Sequence, residues 1–341
     1  MTPTQVLPVD PRSPDSATID VAARVLRAGG LVAFPTETVY GLGGDATSDA
    51  AIRAIFEAKG RPQTNPLIVH LAETSQACEL ASHWPESATR LAERFWPGPL
   101  TIVLPKRPGL AEAVSAGRAT VGLRVPDHDV ALAMLRAVGL PIAAPSANRS
   151  TRVSPTCGHH VRDELAGRID LILDAGPTPV GIESTVVDLT GERPRLLRPG
   201  AVTSDQLAAA LGEEIAIVEV AASGQHALSS PGQMAVHYAP RTPLILVDVR
   251  ELEEELAVSD LMRIGLIVPQ PGRGEGDLRA PIRVEWQSPE EAARGLYATL
   301  RDWDDEDLDR IVVVMPPPTE AWRAVRDRLW RASRRWARPE G

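Results

Sequence analysis

Residues 30–44 read GLVAFPTETVYGLGG, and this stretch sets the pattern for the first part of the chain. Residues 31–34 form a short apolar run, which is typical of a buried strand. Before it, residues 20–28 carry apolar side chains at helical spacing, and two glycines end that helix. Glycines let a backbone approach a ligand closely, although their spacing here matches neither a P-loop nor a dinucleotide fingerprint. A predicted turn follows the strand and contains Thr36, Thr38, Tyr40 and the glycine-rich run 41–44.

The rest of the first 205 residues alternates in the same way between strand and helix patterns. Several strand connections lack a convincing helix, so the pattern predicts an α/β fold with a twisted mixed sheet and flanking helices. Further predicted strands are 67–71, 100–104, 121–125, 142–144, 171–173 and 185–189. Further predicted helices are one capped by Ser48 that ends near Lys59, and 88–95, 130–138 and 204–211.

A change of composition separates a second, smaller part of the chain. Residues 221–243 are rich in Ser, Gly, Gln, His and Pro and lack periodicity, which is typical of a linker. Beyond the linker, apolar runs at 244–247, 264–268 and 311–314 and a helix opening at Ser288-Pro289 indicate a small Rossmann-like α/β domain. The predicted organisation is a tail at 1–13, a main domain at 14–205, a connecting segment at 206–243 and a small domain at 244–336.

The bulk composition limits the classes of function. The net charge of -9 over 341 residues disfavours a protein that coats nucleic acid, because such binding neutralises phosphates with basic side chains. Two cysteines can build neither a disulfide framework nor a cysteine-rich zinc site. No apolar run approaches the roughly 20 residues that span a bilayer, and residues 1–14 lack the pattern of a signal peptide. We therefore expect a cytoplasmic protein without stable direct binding to nucleic acid or membrane.

Lys59-Gly60-Arg61 places two cations where a helix is predicted to end. Lysine offers a compact charge and arginine a planar fork, and both suit phosphate oxygens. The alternative is structural, because cations at a helix C-terminus also interact favourably with the helix dipole. Pro62 and Asn65-Pro66 predict a rigid loop that holds these charges outward.

Ser146-Ala147-Asn148 and His70 lie at the ends of two predicted strands. Serine and asparagine there suit either ligand contacts or an ordinary turn, and taken alone the turn is favoured. A single histidine at a strand end is more often structural than catalytic. The sequence has no GxSxG motif, no histidine-based triad and no metal-ligand spacing. The predicted chemistry is therefore positioning and charge neutralisation of an anionic nucleotide beside a small polar substrate, without covalent catalysis.

Four segments in this order resemble the YrdC-like family: residues 30–44, 59–67, 145–148 and 181–188. Both paired signatures of that family, lysine-X-arginine and serine-X-asparagine, are intact at Lys59/Arg61 and Ser146/Asn148. The family domain covers about residues 14–205. Residues 230–240, which begin Ser-Pro-Gly and end His-Tyr-Ala-Pro, followed by a small α/β domain resemble the long two-domain form of the family.

This resemblance implies an ATP-dependent enzyme, because the family includes L-threonylcarbamoyladenylate synthases. Such a nucleotidyltransferase condenses L-threonine, bicarbonate or CO2, and ATP to L-threonylcarbamoyl-AMP and pyrophosphate. Mg²⁺ would be held by the ATP phosphates and by no protein ligand. The product would pass to a tRNA threonylcarbamoyltransferase complex, which modifies adenosine next to the anticodon.

The resemblance also implies roles for individual residues, with Lys59 and Arg61 as the catalytic cations. Positions matching ATP contacts are Lys59, Arg61, Asn65, Thr120, Ser146, Asn148, Ser154, Arg198 and His237. Positions matching L-threonine contacts are Thr38, His70, Arg124, Ala144 and Ser184. Met234 and Val236 depart from the family pattern, because relatives often carry Lys and Arg there. We expect the linker to become ordered over bound nucleotide, with His237 closing over it.

Three other functions stay open at this point. A carbamoyltransferase of the hydrogenase-maturation type contains a similar domain, but it would need cysteine-rich zinc modules that two cysteines cannot supply. An RNA-binding protein of the same fold is disfavoured by the net charge of -9. A regulatory ATP sensor would bind nucleotide without releasing pyrophosphate.

Overall fold

The chain forms two units in the computed structural model, which describes residues 3–218, 238–258, 263–269 and 282–333. Among these residues, the first unit holds 3–150 and 154–218, and the second holds 151–153 and the described residues from 238 onward. Residues 151–153 group with the second unit, where the Ala239 N–H donates to the Thr151 carbonyl at 3.0 Å. No described helix is long and apolar enough to cross a membrane.

The first unit alternates strands and helices along the chain, and every strand and helix predicted for it is present. Its strands are β1 (Gln5–Pro8), β2 (Val32–Phe34), β3 (Gly41–Asp45), β4 (Ile68–His70), β5 (Leu100–Pro105), β6 (Thr120–Arg124), β7 (Ile142–Ala143), β8 (Leu171–Asp174), β9 (Thr185–Asp188), β10 (Arg195–Arg198) and β11 (Ala216–Ile217). Its helices are α1 (Ser16–Arg27), α2 (Asp49–Lys59), α3 (Thr74–Leu80), α4 (Glu86–Phe95), α5 (Asp129–Val138), α6 (Gly158–Leu165) and α7 (Ser204–Leu211), with a 3-10 turn at Glu112–Ser115.

The strands described for this unit form one mixed sheet in the order β1-β8-β2-β3-β7-β4-β6-β5-β9-β10-β11. Parallel pairs such as β4–β6 and β5–β9 stand beside antiparallel pairs such as β3–β7 and β5–β6. The register of β4 and β6 places His70 opposite Arg124. The predicted mixed α/β sheet is confirmed, and its centre brings two of the predicted site residues side by side.

Successive residues of the central strands face opposite sides of the sheet, and each side has its own helices. On β2, Ala33 packs in a core with residues of α2 and α4, whereas Val32 and Phe34 pack with residues of α1 and α5. On β8, Ile172 lies on the first side and Leu171 on the second. Because both faces are covered, these strands are continuous apolar runs in the sequence.

Two predictions about the secondary structure of this unit are wrong. Residues 1–13, predicted as a tail, contain β1, which pairs in parallel with β8 at the sheet edge. Its residues are mostly exposed, so no apolar alternation signals a strand. The glycine run predicted as a turn is β3, which is antiparallel to β2. A Cβ at Gly43 would lie 2.9 Å from a Phe34 ring carbon and 3.0 Å from the Ile142 side chain, so glycine lets this strand pack closely.

The second unit has a smaller sheet of four described strands, all parallel, in the order β12-β15-β13-β14. Its elements are β12 (Leu244–Val247), α8 (Leu252–Val258), β13 (Ile264–Pro269), β14 (Ile282–Trp286), α9 (Pro289–Asp305), β15 (Arg310–Val314) and α10 (Arg323–Ala332), with 3-10 turns at Val249–Glu251 and Glu320–Trp322. The Ser288 hydroxyl caps α9 by accepting the Glu291 N–H, and Pro289 lies in the first turn, as predicted. The predicted small Rossmann-like α/β domain is confirmed, and its described strands are parallel.

Candidate active site

The end of α2 fixes the position of Lys59. The helix begins after Ser48, whose hydroxyl accepts the Ala51 N–H at 3.3 Å. It ends at Gly60, which has a left-handed conformation (φ 63°) that glycine adopts without steric cost. The chain therefore turns sharply between Lys59 and Arg61, and the two cations leave the helix in different directions.

Lys59 is buried rather than directed outward. Its side chain is 2% exposed, and its ammonium group donates to the backbone carbonyl oxygens of Ser146, at 2.6 Å, and Asn148. Burial, and then the charge of Arg61, hold the pKa of Lys59 well below its ordinary value. Lys59 therefore ties the loop that carries Ser146 and Asn148 to the end of α2.

Arg61 also turns inward, towards the loop that follows it. Its guanidinium group donates to the carbonyl oxygens of Asn65, at 3.4 Å, and Pro66, at 3.1 Å. The prediction that this loop holds both cations outward is wrong, because backbone carbonyl groups draw them in. Asn65 is 1% exposed, and neither polar atom of its amide has a hydrogen-bond partner among the described residues. A buried amide in that state is costly unless a ligand satisfies it.

The loop after β7 presents the Ser146 hydroxyl and the Asn148 amide. The Ser146 hydroxyl donates to the Asn148 amide oxygen at 2.5 Å. The Leu42 N–H donates to the Pro145 carbonyl at 2.7 Å, which docks the loop on β3. With Lys59 holding the other side, the loop is fixed before any ligand binds, as a preorganised binding site requires.

Arg124 lies at the end of β6 in a buried polar cluster. Its Nε donates to the Gly98 carbonyl at 3.3 Å, and its Nη2 donates to the Glu37 carboxylate at 2.6 Å and to the Thr38 hydroxyl at 3.0 Å. Arg124 is 4% exposed and Glu37 is 5% exposed. A guanidinium group has five donors in a planar fork, so Arg124 can hold these partners and still meet a substrate carboxylate.

His70 is the neighbour of Arg124 across β4 and β6. Its Nδ1 is buried and has no hydrogen-bond partner among the described residues. Burial, and then the charge of Arg124, lower the pKa of His70 to about 3. The imidazole is therefore neutral at neutral pH, which makes it a weak base and a suitable hydrogen-bond partner for a small polar ligand.

A third group of site residues surrounds the start of β9. The Ser184 hydroxyl lies 2.8 Å from the Thr101 hydroxyl, and Arg198 donates to the Ser184 hydroxyl at 3.1 Å and to its carbonyl at 3.0 Å. One residue earlier, the Glu183 carboxylate accepts the Ser154 hydroxyl at 2.5 Å. All five side chains are buried.

Residues 36–44 connect these groups. The Val180 N–H donates to the Glu37 carbonyl at 2.9 Å, and the Gly181 N–H donates to the Thr38 carbonyl at 3.1 Å. Gly41 forms an isolated bridge with Ser146. The segment therefore contacts both the Ser146–Asn148 loop and the segment that leads to Ser184, and it carries Thr38 between them.

Two family models match this chain. One model, described as telomere recombination and named for Sua5, YciO and YrdC, matches residues 24–200, which is more than half of the chain. The chain belongs to this family. The second model, described as the C-terminal domain of threonylcarbamoyl-AMP synthase, matches residues 202–334. The predicted membership of the YrdC-like family, in its long two-domain form, is confirmed.

Full-length relatives of this family carry the name of an enzyme. A Bacillus subtilis protein named threonylcarbamoyl-AMP synthase is 42% identical over 332 residues, which covers 95% of each protein. The crystal structure of Pyrococcus abyssi Sua5 complexed with L-threonine matches with a TM-score of 0.90 at 40% identity, over 97% of this chain and 98% of that one. A putative threonylcarbamoyl-AMP synthase of Mycobacterium tuberculosis is 40% identical over 195 residues, covering 57% of this chain and 89% of that protein. The predicted enzyme class agrees with these names.

The remaining predicted positions of the family are placed as follows. Ala144 is buried after β7, and its N–H donates to the Ile68 carbonyl at 2.9 Å. Thr120 is the half-buried first residue of β6. His237, like Met234 and Val236, lies outside the described residues. The ligand contacts assigned to the site residues stay predictions.

Two buried groups of this site, Glu37 and Thr101, were not predicted from the sequence. Glu37 stands between two threonines directly after the apolar strand, and an acid in such a turn is usually exposed. Its burial follows from Arg124, which is 87 positions away along the chain. Thr101 lies inside a strand and contacts Ser184 only because β5 pairs with β9. The one sequence signal for Glu37 was its place between Thr36 and Thr38.

Cys157, His159 and His160 bring their possible ligand atoms within 4.8 Å of one another at the start of α6. His160 Nδ1 accepts the Thr156 N–H at 3.2 Å, so the proton of the neutral ring is on Nε2. As folded, His160 then has no lone pair to give a metal ion unless that hydrogen bond breaks. This cluster is a weak candidate for a metal site.

Proposed function

We propose that this chain forms L-threonylcarbamoyl-AMP and pyrophosphate from L-threonine, bicarbonate or CO2, and ATP. The observation that carries the proposal is the buried polar cluster around Arg124, where Thr38 and the unpartnered Nδ1 of His70 accompany a buried guanidinium group. This cluster has the groups that a small amino acid with a hydroxyl side chain requires. The similarity to synthases over almost the whole length supports the same activity.

In the proposed amino-acid site, Arg124 binds the threonine carboxylate through its guanidinium fork. Thr38, Ser184 and neutral His70 offer hydrogen-bonding groups to the rest of the substrate. Ala144 is buried directly after β7, and its small apolar side chain suits contact with the threonine methyl group. His70 acts as a binding partner rather than as a general base, since its pKa of about 3 leaves it with little affinity for a proton.

In the proposed nucleotide site, Asn65 supplies the buried amide and Ser146 and Asn148 supply the fixed loop. Lys59 has three N–H donors, of which two meet backbone carbonyl groups, so the third can be offered to a phosphate oxygen. A bound phosphate would also offset the cost of burying the ammonium charge. The other proposed contacts are Arg61, Thr120, Ser154, Arg198 and, from the linker, His237.

The proposed reaction needs no protein nucleophile. The threonine ammonium group first loses a proton to water, and the free amine bonds to CO2 and releases a second proton to water, which gives a carbamate. One carbamate oxygen then bonds to the α-phosphorus of ATP. The bond from that phosphorus to the bridging oxygen of the β-phosphate breaks, and pyrophosphate leaves with the electron pair. Lys59 and Arg61 stabilise the charge that develops on the leaving group.

The side chains around the proposed nucleotide positions are mainly cations, hydroxyls and amides. Two carboxylates described near these positions already accept hydrogen bonds within the protein, Glu183 from the Ser154 hydroxyl and Glu164 from the Arg149 N–H. We therefore keep Mg²⁺ on the ATP phosphates, where it would neutralise negative charge and orient the leaving pyrophosphate. We further propose that the product passes to a tRNA threonylcarbamoyltransferase complex, in the cytoplasm, without stable binding of this chain to nucleic acid.

The direct test is an assay with purified protein, ATP, Mg²⁺, bicarbonate and L-threonine, read by mass spectrometry. We expect the adenylate and pyrophosphate to appear together and only when threonine is present. ATP binding without pyrophosphate release would contradict the synthase activity and favour the ATP sensor.

Replacing Arg61 by alanine should lower turnover by at least about 100-fold, because a charge aimed at the leaving group is lost. Arg53→Ala is the matched control, since Arg53 is an exposed arginine of α2, the helix that ends just before Arg61. The control should keep wild-type turnover, and thermal unfolding should show that both variants fold. Near-normal turnover of Arg61→Ala would contradict the role given to Arg61.

A further inference from the structure

Glu37 has an unused carboxylate oxygen in the amino-acid pocket. Its Oε2 lies 2.6 Å from Nη2 of Arg124, whereas its Oε1 is buried and has no hydrogen-bond partner among the described residues. The backbone of Glu37 is held in place, because its carbonyl accepts the Val180 N–H. The oxygen therefore lies in a fixed position beside the guanidinium group that binds the substrate carboxylate.

A buried acceptor without a partner is unfavourable, so a native protein that keeps one usually has a use for it. An ionised carboxylate raises this cost further, and here a single Arg124 nitrogen satisfies only one of its two oxygens. Rotation into solvent offers no relief, since the side chain of Glu37 is 6% exposed. A donor brought by the ligand would complete the hydrogen bonding of the group.

The charges of the pocket match those of a free α-amino acid. Arg124 is positive and faces the expected carboxylate, and Glu37 is the anion in direct contact with it. An α-amino acid carries its ammonium group one carbon away from its carboxylate, so adjacent charges of opposite sign in the protein complement both. His70 cannot replace Glu37 in this role, because a neutral imidazole carries no negative charge to meet an ammonium group.

We propose that Glu37 binds the α-ammonium group of L-threonine through Oε1, while its Oε2 orients the Arg124 guanidinium towards the substrate carboxylate. This inference rests on the proposed function, since it assigns a further residue to the same site. After the amine has become a carbamate, its nitrogen keeps one N–H, which Oε1 can still accept. Glu37 is thus a binding and positioning residue, and no proton transfer is assigned to it.

The test compares two ligands on wild-type protein and on Glu37→Gln, with affinities measured by NMR titration, which reads weak binding. L-Threonine has the ammonium group, and (R)-3-hydroxybutanoate is the same molecule without it. Glu37→Gln should weaken L-threonine binding by about 10- to 100-fold, the range expected for loss of one charged hydrogen bond. Binding of (R)-3-hydroxybutanoate should change much less, because its carboxylate still meets Arg124.

Asp188→Asn is the matched control. Asp188 is also a buried carboxylate paired with an arginine, Arg195, at 2.5 Å, but it lies at the end of β9 away from Ser184. This variant should leave the affinity for both ligands unchanged. If Glu37→Gln does not fold, Glu37→Asp keeps the charge, draws the carboxylate back by one methylene, and should show the same difference between the ligands.

Each other outcome has a defined meaning. If Glu37→Gln lowers the affinity for both ligands equally, the ammonium contact is overturned and the role of Glu37 is limited to orienting Arg124. Unchanged L-threonine binding in Glu37→Gln would overturn the whole inference. Failure of the proposed function is distinguishable from both, since in that case the wild-type protein itself would bind no L-threonine.

Discussion

His70 shows how a single buried side chain couples the site to pH. Its pKa of about 3 in the folded protein lies below the ordinary value of 6.5 that it regains on unfolding. Between these two values the unfolded chain binds a proton that the folded chain does not. The free energy of unfolding therefore falls as pH is lowered through this window, by up to about 1.4 kcal/mol per pH unit for one group.

We predict that His70→Asn removes this dependence. The variant should be less stable than the wild type at pH 7.5, because packing against Phe34 is lost. The difference in free energy of unfolding between the two proteins should narrow steadily from pH 6.5 to pH 4. Urea unfolding at several pH values measures this difference. His83→Asn, at an exposed histidine, is the control and should run parallel to the wild type. If the difference in free energy of unfolding between wild type and His70→Asn stays constant with pH, the pKa of His70 is not lowered in the folded protein.

For individual residues, the sequence identified most of the polar groups of the site but not the partners that their side chains contact. The lysine-X-arginine pattern was visible, yet the contacts of Lys59 are to carbonyl groups 87 and 89 positions away. No local pattern reports such contacts, so the helix end alone suggested outward charges. The same reason hid Glu37, whose burial depends on Arg124.

Among the elements, α2 bears most directly on the site, since its last residue is Lys59 and its C-cap is Gly60. Gly60 has φ 63° and Gly212, which ends α7, has φ 74°. A Cβ at Gly60 would lie 3.9 Å from Arg149, and one at Gly212 would meet nothing within 4 Å. Alanine at either position therefore costs mainly backbone strain, about 1 kcal/mol.

We predict that Gly60→Ala and Gly212→Ala lose similar stability but differ in activity. Relief of the strain at position 60 shifts the helix end that carries Lys59 and Arg61, which should lower kcat/KM by about tenfold or more, because small displacements of positioning groups are costly. Gly212→Ala should keep wild-type kcat/KM. Chemical unfolding and steady-state kinetics measure the two effects, and equal kinetics in both variants would contradict a positioning role for α2.

The elements also show where sequence patterns work. The helices with clear apolar periodicity, such as α1 and α5, and the buried apolar strands were predicted within a few residues of their ends. β1 and β3 were not, because one is short and exposed and the other is built on glycine. β1 is a strand because it pairs with β8, and β3 because it pairs with β2. Such pairing across a sheet cannot be predicted from the local sequence.

For the whole molecule, the described residues of the first unit contain a complete hydrophobic core. The two large core clusters lie between Val9 and Leu211 and flank the eleven-stranded sheet. The side chains of the proposed amino-acid pocket, among them Thr38, Arg124 and Ser184, also belong to this unit.

We therefore predict that a fragment of residues 1–218 folds on its own and binds L-threonine. It should unfold in one cooperative transition by circular dichroism, because its core is made within the fragment. Calorimetry should give a threonine affinity close to that of the full chain, and Arg124→Ala in the fragment should abolish it as the control. A folded fragment without threonine binding would place an essential part of the amino-acid site beyond residue 218, and would assign to the rest of the chain a role in substrate binding.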